Sequence, residues 1–149
     1  MRRFVSSFRP LYRSLGSPSS ACQPKRCAAA TRTITMQSSN RLKVALAQGR
    51  QAFGAWQMLP GANISRLLAR TNADWVCVDC EHGNMDDGAM HDAVPAIAAL
   101  GVSPIVRLPD MQSWMVKRAL DCGAHGILVP LLRTVKEAED LVQAAKFPH

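Results

Sequence analysis

From residue 39 onward, short apolar runs alternate with amphipathic stretches along the chain. The spacing predicts a short helix over Arg41 to Gly49, a strand over Phe53 to Gln57 and a loop at Pro60-Gly61. A helix carrying Ile64, Leu67 and Leu68 follows and ends near Asn72. Trp75 to Val78 reads as a strand, and Asp86 to Leu100 as a helix with Met90, Val94, Ile97 and Ala98 inward, stopped by Gly101. Pro104 to Val106 is a third strand, Gln112 to Asp121 a third body helix stopped by Gly123, and Gly126 to Val129 a fourth strand closed by Pro130. Thr134 to Lys146 closes the series, with Thr134 as N-cap and Glu137 completing a capping box. The strands are continuous apolar runs, as in a parallel sheet covered by helices, and they recur at the spacing of βα units. Four such units fit either a doubly wound sheet or part of a (β/α)8 barrel. No Gly-rich phosphate fingerprint follows the first strand, which argues against nucleotide-binding Rossmann chemistry.

The segment before this rhythm has another pattern. Phe4, Phe8, Leu11 and Leu15 recur at helical spacing among Arg2, Arg3, Arg9 and Arg13, in a stretch rich in serine. Of the 18 Lys and Arg residues, 12 lie before residue 74, whereas all 11 acids lie at Asp74 or beyond. The net charge of +7 therefore comes from a basic leader on an acidic-to-neutral body, and it argues against a nucleic-acid-binding domain. Residues 1–38 are expected to be a mitochondrial transit peptide or a disordered basic tail, and residues 39–149 the folded domain. Met36 offers an internal start that would give a leaderless cytoplasmic form. No run approaches the ~18 apolar residues of a membrane span. The five cysteines are scattered through leader and body, without a disulfide framework, which suits a reducing compartment.

In both candidate architectures, chemistry gathers where strands end at their carboxyl termini. The second strand runs into Asp79-Cys80-Glu81-His82-Gly83, the third ends at Arg107, and the first runs into Gln57. An Asp, a Glu, a His and an Arg on one rim can hold and deprotonate a small anion, since guanidinium forks onto carboxylate and imidazole moves protons near neutrality. The plainer reading of Asp-x-Glu-His alone is a polar loop capping a helix; Arg107 on the neighbouring strand tilts the balance towards a site. Cys77 and Cys80 form a C-x-x-C, but strand alternation sends their thiols to opposite faces and no second pair completes a zinc set, so both are expected to pack. His91 and His125 have no visible partner and are expected to be surface or satisfied helix residues. Asp121, in the last turn of its helix, sits where the helix dipole disfavours an anion.

These residues resemble the HpcH/HpaI aldolase family of class II metal-dependent pyruvate aldolases and citrate lyase-like barrels. The matching motifs are Phe53-Gly54-Ala55-Trp56, Ala73-Asp74-Trp75, Asp79 through Gly83, Pro104 through Arg107, Leu120 through Ala124, Gly126 through Pro130 and the helix start at Thr134–Ala138, together spanning about Arg41 to Pro148. The resemblance implies an α/β fold, the N-terminal half (about four βα units) of a (β/α)8 TIM-type barrel. It implies retro-aldol cleavage of 2-keto-hydroxy acids to pyruvate plus an aldehyde through a metal-stabilised enolate. By the same resemblance Arg107 binds the pyruvyl carboxylate and keto oxygen, His82 paired with Asp121 is the base, Asp79 holds the water around the metal, and Trp56 walls the pocket. Cys80 stands where a small residue such as glycine is expected. The implied cofactor is a divalent ion (Mg, Mn or Co) whose Glu and Asp ligands come from the fifth and sixth strands, beyond residue 149, so none of its ligands is expected here. The expected partner is a small keto acid, with neither nucleic acid nor membrane, and family members are homo-oligomers. The alternative is a truncated, non-catalytic half-barrel acting only through association.

Overall fold

The computed structural model describes residues 40–146. The leader, its transit-peptide reading and the internal start at Met36 lie outside the described residues. The elements are α1 (Arg41–Ala47), β1 (Gly54–Gln57), α2 (Ala62–Ala69), β2 (Trp75–Asp79), α3 (Asp87–Ala98), β3 (Ser103–Arg107), α4 (Ser113–Asp121), β4 (Gly126–Leu128) and α5 (Val135–Ala144). Each falls within a few residues of its sequence expectation. The expected cap is formed: Thr134 accepts from the Glu137 amide, and the Glu137 carboxylate accepts from the Thr134 amide at 3.0 Å.

All four strands are parallel, in the order β1-β2-β3-β4. A doubly wound sheet would reverse direction after its first half; this sheet instead advances one strand at a time, as one half of a (β/α)8 barrel does. On its outer face Val76, Val78 and Val106 pack against Val94, Ile97, Val116 and Ala119 of α3 and α4. This apolar seam is the main core, and burial of such side chains contributes roughly 1.5–3 kcal/mol each. β1 and β4, whose apolar runs read as buried strands, are partly exposed, because each has a strand neighbour on only one side within the described sheet.

The inner face is layered by the register. Gly54, Trp75 and Ser103 form one level, Trp56, Cys77, Ile105 and Gly126 the next, and Asp79, Arg107 and Leu128 the last, at the carboxyl ends of the strands. Trp56, Trp75, Cys77, Ile105 and Leu128 of this face border a cavity of about 520 Å³ that Leu42 and Leu46 of α1 also line. Trp75 lies against Gly54 so closely that a Cβ there would come 2.1 Å from its indole carbons. Gly54→Ala is therefore expected to cost about 1–3 kcal/mol through overpacking. A lowered urea midpoint with altered tryptophan emission would show it, and an unchanged midpoint would contradict it.

At the amino ends of the strands, α1 is tied down by polar contacts. Ser103 Oγ donates to Asn40 Oδ1 (3.2 Å) and accepts from the Leu42 amide (3.2 Å), while Asn40 Nδ2 donates to the His125 carbonyl (3.0 Å). Because the Ser103 hydroxyl proton is committed to Asn40, the His125 Nδ1 at 3.2 Å must be the donor in that pair. His125 is thus satisfied, as expected, but at the entry to β4 rather than on a helix. Burial lowers its pKa, favouring the neutral ring. Asp74 adds a second tie, accepting from Arg50 (3.0 and 3.2 Å) and the Phe53 amide (3.1 Å).

Candidate active site

Asp79 closes β2 with no accessible surface, and five donors converge on it. Its Oδ1 accepts from the amides of Glu81 (3.0 Å) and His82 (3.1 Å) and from Arg107 Nε (2.8 Å). Its Oδ2 accepts from Arg107 Nη2 (2.5 Å) and Trp56 Nε1 (2.9 Å). One buried carboxylate therefore folds the turn after β2, aims the guanidinium of β3 and fixes the indole of β1. The Arg107 fork, followed by the Trp56 and backbone N–H groups, holds the Asp79 carboxyl well below the usual aspartate range despite the opposing effect of burial.

Arg107 is about four-fifths buried, with its guanidinium 5.0 Å from the centre of the Trp56 ring. Its side-on fork is taken by Asp79, and Nη1 stands 3.2 Å from Glu81 Oε2. A guanidinium has five N–H groups, so N–H donors on its distal edge remain for a ligand. Glu81 Oε2 is buried and has no hydrogen-bond partner: its contact with Nη1 lacks hydrogen-bond direction. The other oxygen of Glu81 lies 3.5 Å from Nε2 of His82, whose side chain is exposed at the mouth of the site.

Trp56, Asp79, Arg107 and His82 are thus brought together at the carboxyl ends of three adjacent strands. Asp121 is not. It is the last residue of α4, which runs back from the Arg107 end of β3 towards the start of β4, so it stands at the opposite end of the sheet, and no hydrogen bond or ion pair among the described residues joins it to His82. The neighbour of His82 in this chain is Glu81, which the sequence placed on the rim without a role of its own. The signal was present: an Asp at a strand end whose side chain caps the two following amides turns the chain and carries residue i+2 back over the neighbouring strand.

The cysteines behave as packing residues. Cys77 borders the inner cavity and Cys80 the crevice between α3 and α4. Burial pushes their thiols up to about 12 and about 11, far from thiolate reactivity. Gly83, closing the turn, packs so tightly that a Cβ would lie 2.3 Å from the Asp79 carbonyl oxygen and 3.1 Å from Met58 Cα.

Comparison with known proteins agrees with this fold. Residues 53–149 match the family model of the HpcH/HpaI aldolase/citrate lyase domain. A hydroxypyruvate/pyruvate aldolase of Roseobacter denitrificans is 33% identical over 109 residues, covering 73% of this chain and 43% of that protein. A 5-keto-4-deoxy-D-glucarate aldolase of Escherichia coli is 30% identical over 109 residues, with 73% and 43% covered. Among solved structures, an HpcH/HpaI aldolase/citrate lyase family protein from Burkholderia cenocepacia superposes with a TM-score of 0.67 at 34% identity, over 74% of this chain and 44% of that one. The chain spans less than half the length of the relatives it matches. With the matched segment covering the sheet and every residue of the Asp79–Arg107 cluster, this chain belongs to the HpcH/HpaI aldolase/citrate lyase family.

Proposed function

We propose that the Asp79–Arg107 cluster is the keto-acid end of a carbon–carbon lyase site that cleaves 4-hydroxy-2-keto acids to pyruvate-type products and an aldehyde. The observation that carries this reading is Arg107: a guanidinium locked by a buried carboxylate, with N–H donors left on its outer edge beside an exposed imidazole. The free edge matches the carboxylate and keto oxygens of a 2-keto acid. In retro-aldol cleavage, His82 takes the proton of the C4 hydroxyl as the C3–C4 bond breaks. The electron pair of that bond flows into the keto group, giving an enolate whose developing charge faces Arg107, and the aldehyde departs. Protonation at C3 then releases the keto acid. Asp79 acts by holding Arg107 and the turn, and Trp56 walls the pocket.

The described residues do not fit the divalent ion that the resemblance implies. No three His, Cys, Asp or Glu side chains among them converge on a common point, and Asp79 already accepts five hydrogen bonds. Pyruvate release assayed with Mg, Mn or Co added tests the family's metal chemistry directly.

Arg107→Lys is the sharpest test, because an ammonium cannot reproduce a guanidinium edge. Calorimetric titration of the 149-residue chain with pyruvate should show binding weakened at least ~10-fold in the variant. Equal affinity would remove Arg107 from the reading. Pyruvate release from a 4-hydroxy-2-keto acid tests the lyase step itself. A second reading, a non-catalytic half-barrel acting by association, draws support from the unpaired outer edges of β1 and β4 among the described residues and from the apolar cavity between them. Absence of turnover together with intact pyruvate binding would favour it.

A further inference from the structure

We infer that this chain pairs with a second copy of itself, β4 of each beside β1 of the other, closing an eight-stranded parallel barrel over the inner cavity. This does not depend on the lyase step and names a partner for association. The starting observation is the pair of outer sheet edges. Among the described residues β1 pairs with β2 alone and β4 with β3 alone, so each presents unpaired backbone groups. Such edges are templates for a further strand. A two-fold axis across the strands would pair like edges antiparallel and leave the other edge of each copy open. A two-fold axis along the barrel sets β4 against β1 twice, keeps all eight strands parallel and leaves no edge.

The surfaces this closure brings together are uncovered and complementary. In a (β/α)8 barrel the helix after one strand lies beside the helix after the next, so α5 of one copy would face α2 of the other. Val135, Ala138 and Val142 recur at helical spacing along α5 and are all exposed, Val135 at 77%. On α2, Leu67 is 66% exposed, one turn after the half-buried Ile64. The charges match as well: α2 with its cap carries Arg66 and Arg70 and no acid, whereas α5 carries Glu137, Glu139 and Asp140 against Lys136 alone. On the cavity side, Trp56 of β1 and Leu128 of β4 are exposed and would flank the two seams. Because all strands would end together, both Asp79–Arg107 clusters would share one rim, with the cavity beneath them taken out of bulk water.

Sedimentation equilibrium of the full 149-residue chain tests this. The expected result is a dimer, twice the 16.2 kDa of one chain. Leu67→Asp sets an acid against the acidic α5, and Val142→Lys sets a base against the basic α2; each should weaken the dimer at least ~10-fold. Within one copy these positions lie on helices at opposite edges of the sheet, so they meet only between copies. The double variant Leu67→Asp with Val142→Lys should therefore recover the dimer that either change alone loses, which a folding defect would not do. Circular dichroism establishes that each variant is folded. A monomeric wild type overturns the inference, whether residues 1–39 or nothing covers its inner face. An open-ended series of larger oligomers, a dimer indifferent to both single changes, or a double variant no better than either also overturns it. Pyruvate titration of the same chain reads the Arg107 cluster separately, so a monomer that binds pyruvate refutes the closed barrel and leaves the keto-acid reading standing.

Discussion

Asp79→Ala is expected to destabilise the chain by about 3–5 kcal/mol, because it removes the fully buried carboxylate that holds two nitrogens of a largely buried guanidinium. It removes at one stroke the acceptor for the Trp56 indole, for two turn amides and for two nitrogens of Arg107. Urea unfolding followed by circular dichroism measures the loss. Replacing both partners, Asp79→Leu with Arg107→Met, should recover much of it, since a pair of apolar side chains leaves no buried charge behind. A single variant as stable as the wild type would mean the cluster is not a structural unit. The same carboxylate sets an acid limit. Its folded pKa lies below the ordinary value of 3.8, so its stabilising contribution is complete above the normal aspartate range and is lost as pH falls through and below about 4. The wild type should therefore lose stability on acidification more steeply than Asp79→Ala, and parallel acid profiles would contradict this.

Gly83→Ala is the second large effect, and it acts on the site without removing a functional group. The added methyl would sit 2.3 Å from the Asp79 carbonyl oxygen and 3.1 Å from Met58 Cα and O, all backbone atoms that no rotamer change can move aside. The turn must shift away from β1, breaking the 2.8 Å bond from the Asn84 amide to the Met58 carbonyl and displacing the adjoining His82 and Glu81. Overpacking of this kind costs about 1–3 kcal/mol. The distinguishing result is a loss of keto-acid binding larger than the fall in stability accounts for, read by titration at a urea-free temperature where the variant is folded. Retention of wild-type affinity would show that the turn tolerates the shift.

Much of the architecture was legible in the chain because its signals are local. Gly101 and Gly123 stop helices in the left-handed backbone region that glycine adopts freely, and Thr134 with Glu137 caps α5. Valine-rich runs bounded by such stops mark buried parallel strands, and the rule that chemistry collects at strand ends singled out Asp79, His82 and Arg107. Alternation along β2 also separated Cys77 from Cys80 correctly. The role of Glu81 was not legible, since it depends on how far the turn after β2 leans over β3, and that lean is set by Asp79 accepting from both following amides. The place of Asp121 relative to His82 within the one chain was equally illegible. Residues that belong to one motif set in sequence are parted when a nine-residue helix carries one of them back to the other end of the sheet.

The sequence by itself determined the element order, the βα rhythm, the identity of the rim residues and the family resemblance, because each depends on neighbours a few positions apart or on a pattern of residue types. Only the tertiary structure decided that Asp79 is a fully engaged anchor, that its fork leaves the distal edge of Arg107 clear, and that Glu81 Oε2 is ion-paired to Nη1 at 3.2 Å without a hydrogen bond. Those properties arise from strand register, which sets Asp79 directly beside Arg107 and Trp56 beside Cys77, two residues before Asp79 on the same face. Register is a long-range agreement between segments more than twenty residues apart, fixed by burying Val76, Val78 and Val106 on one common face.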